Sequence, residues 1–113
     1  RMPRNMSFAL TTEQFKSRTK TVTRRFGWWF LKPGDVVRGV EKTMGLKPGE
    51  KIKPLGLVRV LDTRPEPLDA ITQGDVVKEG FPEWTPEQFV SMLVEHYGVS
   101  SSAKVNRIEF EYL

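Results

Sequence analysis

Apolar positions along this chain alternate in some stretches and recur at helical spacing in others, and each change of period predicts an element. In residues 5–10, Met6, Phe8 and Leu10 fall on one side of an alternating run, which predicts a first strand. Thr11, with Gln14 three residues later, has the form of a capping box and predicts a short helix from Thr12 to about Thr19. The β-branched run 21–25 predicts a second strand. Pro33-Gly34-Asp35 predicts a turn, followed by a strand over 36–40. Lys47-Pro48-Gly49-Glu50 predicts a second turn, in a polar loop. Residues 55–61 then predict the longest central strand, which Pro65 and Pro67 are expected to end.

Residues 68–78 carry mixed signals and room for one short helix, and residues 79–84 predict a loop. Thr85-Pro86-Glu87-Gln88 is a strong helix start: a capping threonine, a proline in the first turn and a glutamine completing the box. Phe89, Met92, Leu93 and His96 follow at helical spacing and Gly98 ends the run, which predicts a helix near 86–97 with His96 packed on its apolar face. In residues 105–113, Ile108, Phe110 and Tyr112 alternate with Arg107, Glu109 and Glu111, which predicts a closing strand with one wet face. The expected core is Phe8, Leu10, Val58, Val60, Phe89, Leu93, Ile108 and Phe110. The order β-α-β-β-β-(α)-α-β lacks regular βαβ alternation. It predicts an α+β fold, a small mixed or antiparallel β-barrel with helices at its rim.

Composition narrows the function classes. The chain has 113 residues, 38% apolar and 28% charged, which suits one soluble globular domain. Met2 and Met6 are both candidate starts, so the domain is expected over 6–113, with residues 1–5 as an N-terminal extension. No apolar run is long enough to cross a bilayer and no signal-peptide pattern is present, so no membrane partner is expected. The chain has no cysteine and a single histidine, His96, which excludes thiolate and multi-histidine metal sites. Metal-free chemistry without a cofactor, in a reducing cytoplasmic setting, is the compatible expectation. The oligomeric state is not legible.

The net charge of +4 is concentrated at one end. Residues 1–25 hold seven basic side chains against Glu13 alone, a surplus of +6, while the remainder carries −2. Arg18-Thr19-Lys20-Thr21-Val22-Thr23-Arg24-Arg25 packs four positive charges and three hydroxyls into eight residues. Such a field favours a nucleotide or single-stranded RNA or DNA, with Arg18, Arg24 and Arg25 as the phosphate grip. Trp28 and Trp29, directly downstream, are the candidate rings for stacking a base, and the alternative for both is core. Lys20 and Thr23 would lie on opposite faces of a regular strand and converge only if Lys20 sits at the helix–strand corner. There a neutral lysine could take the threonine proton and make the hydroxyl a nucleophile. The alternative is a solvated helix-end cation beside an ordinary strand residue. Glu79, in an aromatic and proline-rich loop, could serve as general acid or pair with Lys20, with Glu83 as its rival.

Taken together, Lys20-Thr21-Val22-Thr23-Arg24-Arg25, Leu31-Lys32-Pro33-Gly34-Asp35, Glu79-Gly80-Phe81 and the terminal Ile108-Glu109-Phe110 resemble the ASCH domain family. The resemblance runs from about Met6 to Leu113 and implies a PUA-like fold. It implies RNA or nucleotide binding and, as in some small bacterial members, hydrolase activity on N4-acetylcytidine. Those amidohydrolases use a lysine, a threonine and a glutamate, which match Lys20, Thr23 and Glu79. The chain departs from them in Arg24-Arg25, in Trp28-Trp29 and in a longer segment over 44–53. The resulting expectation is a metal-free amidohydrolase acting on an N4-acylated cytidine-like nucleoside or nucleotide. The alternative is a non-catalytic RNA or single-stranded nucleic-acid binding module.

Overall fold

The protein is described here by a computed structural model covering residues 2–113; Arg1, counted above in the basic segment and the N-terminal extension, lies outside the described residues. The elements follow in the predicted order: β1 (Arg4–Ser7), α1 (Thr12–Lys16), β2 (Val22–Arg25), β3 (Val36–Val40), β4 (Pro54–Pro67), α2 (Gln73–Lys78), α3 (Pro86–Tyr97) and β5 (Lys104–Tyr112). Short 3-10 turns at Ala9–Thr11 and Leu68–Ala70 precede α1 and α2. The five strands form one mixed sheet in the order β1-β3-β4-β5-β2, parallel only between β1 and β3. It curls into a half-barrel whose edge strands are β1 and β2.

Several local signals act as expected. Thr85 and Gln88 form the full capping box of α3, and Gly98 ends that helix in the left-handed conformation. Others are overridden. Thr11 makes no side-chain cap bond, and α1 stops at Lys16, after which Arg18 turns left-handed at φ 61°. The first strand ends at Ser7, because the chain turns through the 3-10 segment after Phe8; Leu10 is thereby carried to the surface instead of the core. The other seven expected core residues are buried.

Pro65 and Pro67 do not end β4. They lie inside it, opposite Asn106 and Lys104 of β5. Beyond Arg59, β4 has no ladder partner on its β3 side, so a proline there removes no hydrogen bond from the sheet.

Two apolar clusters occupy the two faces of β5. Ile108 and Phe110 pack with Met6, Phe8, Phe15, Leu31, Val37, Val58 and Val60 inside the half-barrel. Val105 packs on the other side with Leu68, Ile71 and Val76 and with Phe89 and Leu93 of α3. This second cover is why the wet face expected of β5 is dry at Arg107, which is 4% exposed. Within the barrel, Phe15 of α1 passes over Gly39, where a Cβ would come within 2.4 Å of the ring. Only glycine admits the ring at that depth.

Candidate active site

The predicted site segment is bent at the corner the Lys20–Thr23 spacing requires. Lys20 lies between α1 and β2. Its backbone N–H donates to Gln14, and its carbonyl accepts from the Tyr112 hydroxyl at 2.5 Å. The next amide, Thr21, donates to Lys78 at the end of α2. The corner is thereby tied to three elements.

β2 then presents alternate residues to opposite faces. Thr23 and Arg25 are opposite Ile108 and Asn106 of β5 and face the barrel interior; Arg24 is opposite Arg107 and faces α2. Glu79 enters from the C-terminal end of α2, where its N–H closes the helix on Asp75. The following Gly80 has φ 102°, and a Cβ there would sit 2.6 Å from the Gln14 side chain. The loop can approach α1 this closely only through a glycine, and that approach sets Glu79 against Lys20.

Lys20, Thr23 and Glu79 are 2%, 3% and 1% exposed, and all three line one cavity of about 270 Å3. Its wall is completed by the Phe8 segment after β1, by Lys42 and Met44 from the β3–β4 loop, and by His96 and Tyr97 at the end of α3. The cavity therefore lies between the two edge strands of the sheet, where no ladder closes the barrel. His96 is exposed at this wall, not packed in the core, because it lies in the last turn of α3, past the buried Phe89 and Leu93.

Lys20 Nζ forms an ion pair with Glu79 Oε1 and donates a second bond to the Glu79 carbonyl at 3.1 Å. Burial pulls the lysine below its ordinary pKa, and Arg25 and Arg24 act in the same direction; the Glu79 carboxylate opposes them. Thr23 Oγ1 accepts from Arg25 Nε at 3.0 Å, which leaves the threonine proton free to be donated.

Arg24 is buried in carboxylates. It donates to Glu79 at 3.1 Å, to Glu66 at 2.8 Å and to Asp75 at 2.5 Å. Its pKa rises because these partners outweigh the opposing cost of burial. Arg107 grips Asp75 with two further bonds, at 2.6 and 3.0 Å. The result is a continuous buried chain, Lys20–Glu79–Arg24–Asp75–Arg107, beneath the cavity.

The expected phosphate grip is dispersed. Arg24 reaches the cavity wall with its terminal nitrogens already engaged. Arg18 is exposed and stacks 5.4 Å over Tyr112, away from the cavity lining. Trp28 packs against the barrel core, and half-exposed Trp29 lies under Lys104; neither lines the cavity. Glu83 is exposed, outside the lining. Of the five candidates for binding, only Arg25 offers open donors at the cavity.

Sequence reasoning missed Asp75, Glu66 and Arg107. Asp75 had a signal: it stands four residues before Glu79 on a short helix, so both carboxylates project from one face. Arg107 had none, because its alternation with Ile108 and Phe110 reads as a solvated face. Among the described residues, no group of three or more His, Asp or Glu side chains is placed to hold a metal ion, and no helix is long and apolar enough to cross a membrane.

Known structures share this architecture. Protein EF3133 from Enterococcus faecalis V583, described under the family model DUF984, superposes with a TM-score of 0.68 at 15% identity, over 100% of this chain and 77% of its own. The hypothetical protein PH0355 superposes with a TM-score of 0.69 at 18% identity, over 99% of this chain and 100% of its own. At such identities the likeness shows the fold: a small PUA-like α+β barrel with flanking helices. No family model and no curated protein matches the sequence.

Proposed function

We propose that this chain is an ASCH-type amidohydrolase that removes the acyl group from an N4-acylated cytidine-like nucleoside or nucleotide. One observation carries the reading: Lys20 and Thr23, neighbours in sequence, and Glu79, from a distant part of the chain, are all buried and line a single cavity. At about 270 Å3 it lies just below the usual range of ligand sites, roughly 300–1,000 Å3, a size suited to one nucleoside and too small for a length of strand.

In this reading Thr23 Oγ1 attacks the amide carbonyl carbon while its proton passes to Lys20 in the neutral form. Burial favours that form, with Arg25 and Arg24 acting in the same direction against the Glu79 carboxylate. The carbonyl becomes a tetrahedral oxyanion. Its collapse breaks the C–N bond, and the N4 nitrogen takes a proton from the Lys20–Glu79 pair. Water then hydrolyses the acyl-threonine ester with Lys20 again as base, releasing the carboxylic acid. Arg25 Nε at 3.0 Å steadies the threonine oxygen as charge develops. Arg24, fully engaged, positions Glu79.

The test is hydrolysis of N4-acetylcytidine by purified protein with chelator present. Turnover that survives the chelator and is lost in Lys20→Ala and Thr23→Ala supports the reading, and turnover untouched by either substitution refutes it. The alternative, a nucleic-acid binding module, draws on half-exposed Trp29 and Phe30 beside Lys104 and Arg4. It is favoured if no acylated nucleoside turns over and single-stranded RNA binds with strong salt dependence.

A further inference from the structure

The buried and half-buried cations around the cavity are not equivalent. Lys20 is paired with Glu79, Arg24 with Glu79, Glu66 and Asp75, and Arg107 with Asp75. Arg25 has no carboxylate within salt-bridge distance among the described residues. Its one side-chain hydrogen bond is Nε to Thr23, and its guanidinium lies 4.7 Å over the Phe8 ring. The fully buried side-chain nitrogens that lack a partner are Arg24 Nε and Arg107 Nη1. The terminal nitrogens of Arg25, also without a partner, are therefore not fully sealed from solvent. They are parallel donors on a rigid fork, held beside an apolar ring and awaiting an acceptor.

Arg25 also stands at a junction. It and Tyr97 line the inner cavity and, in addition, a neighbouring groove of about 370 Å3. The groove continues over Phe26, Gly27, Trp28 and Phe30 to Arg4, whose guanidinium lies 4.8 Å over Phe30 and which likewise has no carboxylate partner among the described residues. A ligand that fills the inner cavity and extends past Arg25 meets two uncompensated guanidinium groups in succession.

We propose that the site takes its nucleoside as a phosphate ester. Arg25 binds the phosphate where the inner cavity opens into the groove, and Arg4 adds attraction further out. The inference rests on the reading above for the identity of the base. The anion site itself does not depend on turnover. The same phosphate chemistry belongs to a free 5′-monophosphate and to an internal nucleotide of a strand, and the groove beyond Arg25 has room for the beginning of either.

The experiment has two independent arms. In the first, cytidine and cytidine 5′-monophosphate are titrated calorimetrically into the intact protein. The monophosphate should bind about tenfold or more tightly, the effect of charge-assisted hydrogen bonds, with an advantage that shrinks as salt rises. Arg25→Gln should erase the advantage and Arg25→Lys should keep part of it. Equal affinity of the wild-type protein for the two ligands overturns the proposal, whatever the variants do. In the second arm, kcat/KM is compared for N4-acetylcytidine, its 5′-monophosphate and a dinucleotide carrying the acetylated base. The ratio of phosphorylated to unphosphorylated substrate cancels any effect of Arg25 on Thr23. A ratio of about ten or more that falls toward one in Arg25→Gln supports the proposal, and the better of the two phosphorylated substrates assigns the source. A ratio of one in wild type, with both substrates losing turnover equally in Arg25→Gln, places the guanidinium at the reacting carbonyl and overturns it. Arg25-dependent binding of the monophosphate without hydrolysis of any substrate refutes the amidohydrolase reading and leaves the phosphate site standing.

Discussion

Replacing Arg24 with methionine removes the cation at the centre of the buried chain while keeping a side chain of similar length. Three carboxylates lose a partner, but not equally. Asp75 keeps both bonds from Arg107, Glu79 keeps Lys20, and the Glu66 side chain is 13% exposed and still meets Arg64. Breaking a buried ion pair from one side costs roughly 3–5 kcal/mol. With those remaining partners the expected loss is at the lower end, about 3 kcal/mol. A domain of this size has about 5–15 kcal/mol of stability, so the variant should still fold. Urea unfolding at neutral pH measures the loss as a lower midpoint at unchanged slope. The pH dependence supplies a second check. Asp75 is held well below the usual carboxylate range, first by its hydrogen bonds from Arg107, against the cost of burial, and further by Arg24. A depressed carboxylate contributes stability that is complete above its unfolded pKa of about 3.9 and is lost as pH falls through the folded value. Removing Arg24 raises the folded value. Because the unfolded chain titrates alike in both proteins, the deficit should hold constant down to the variant's folded Asp75 value and narrow only as pH falls below it. A loss below about 1 kcal/mol at pH 7 would show that the chain beneath the cavity carries little energy.

Gly80→Ala forces an alanine to φ 102° and its Cβ into Gln14, so it should cost roughly 1–3 kcal/mol in urea unfolding; a cost under about 0.5 kcal/mol would refute the close approach. Phe89→Ala should cost roughly 3–5 kcal/mol, while Leu10→Ala, at a position 38% exposed, should stay within about 0.5 kcal/mol. Equal losses would mean that the first strand continues past Ser7 after all. Tyr112 is pushed up to about 12 by desolvation, so its contribution to stability is complete below the unfolded pKa of about 10 and lost as pH rises through about 12. Ultraviolet titration in a Tyr97→Phe background should show one phenol ionising near that value, and ionisation near 10 would contradict the desolvation of the Tyr112 hydroxyl.

The sequence by itself determined the element order and the elements whose signals are local. Thr85, Pro86, Gln88 and Gly98 bound α3 because capping and left-handed termination involve only neighbouring backbone. Pro33-Gly34-Asp35 and the alternation after it were enough for β3. The corner at Lys20 was legible as a condition, since its odd spacing from Thr23 left no other way for the two to meet. What tertiary structure decided concerns who covers whom. The prolines of β4 are tolerated because β3 begins only opposite Arg59 and leaves the rest of that edge free, a fact of sheet order. Arg107 is buried because α2 and α3 lie over a face of β5 that alternation alone assigns to water. The division of labour between Arg24 and Arg25 was equally hidden. The two are chemically identical neighbours, and strand geometry sends one beneath α2, where three carboxylates neutralise it, and the other into the barrel mouth, where none does. Local chemistry is written in adjacent residues; the pairing and desolvation of a charge depend on residues fifty positions away, which are brought close only when the sheet curls.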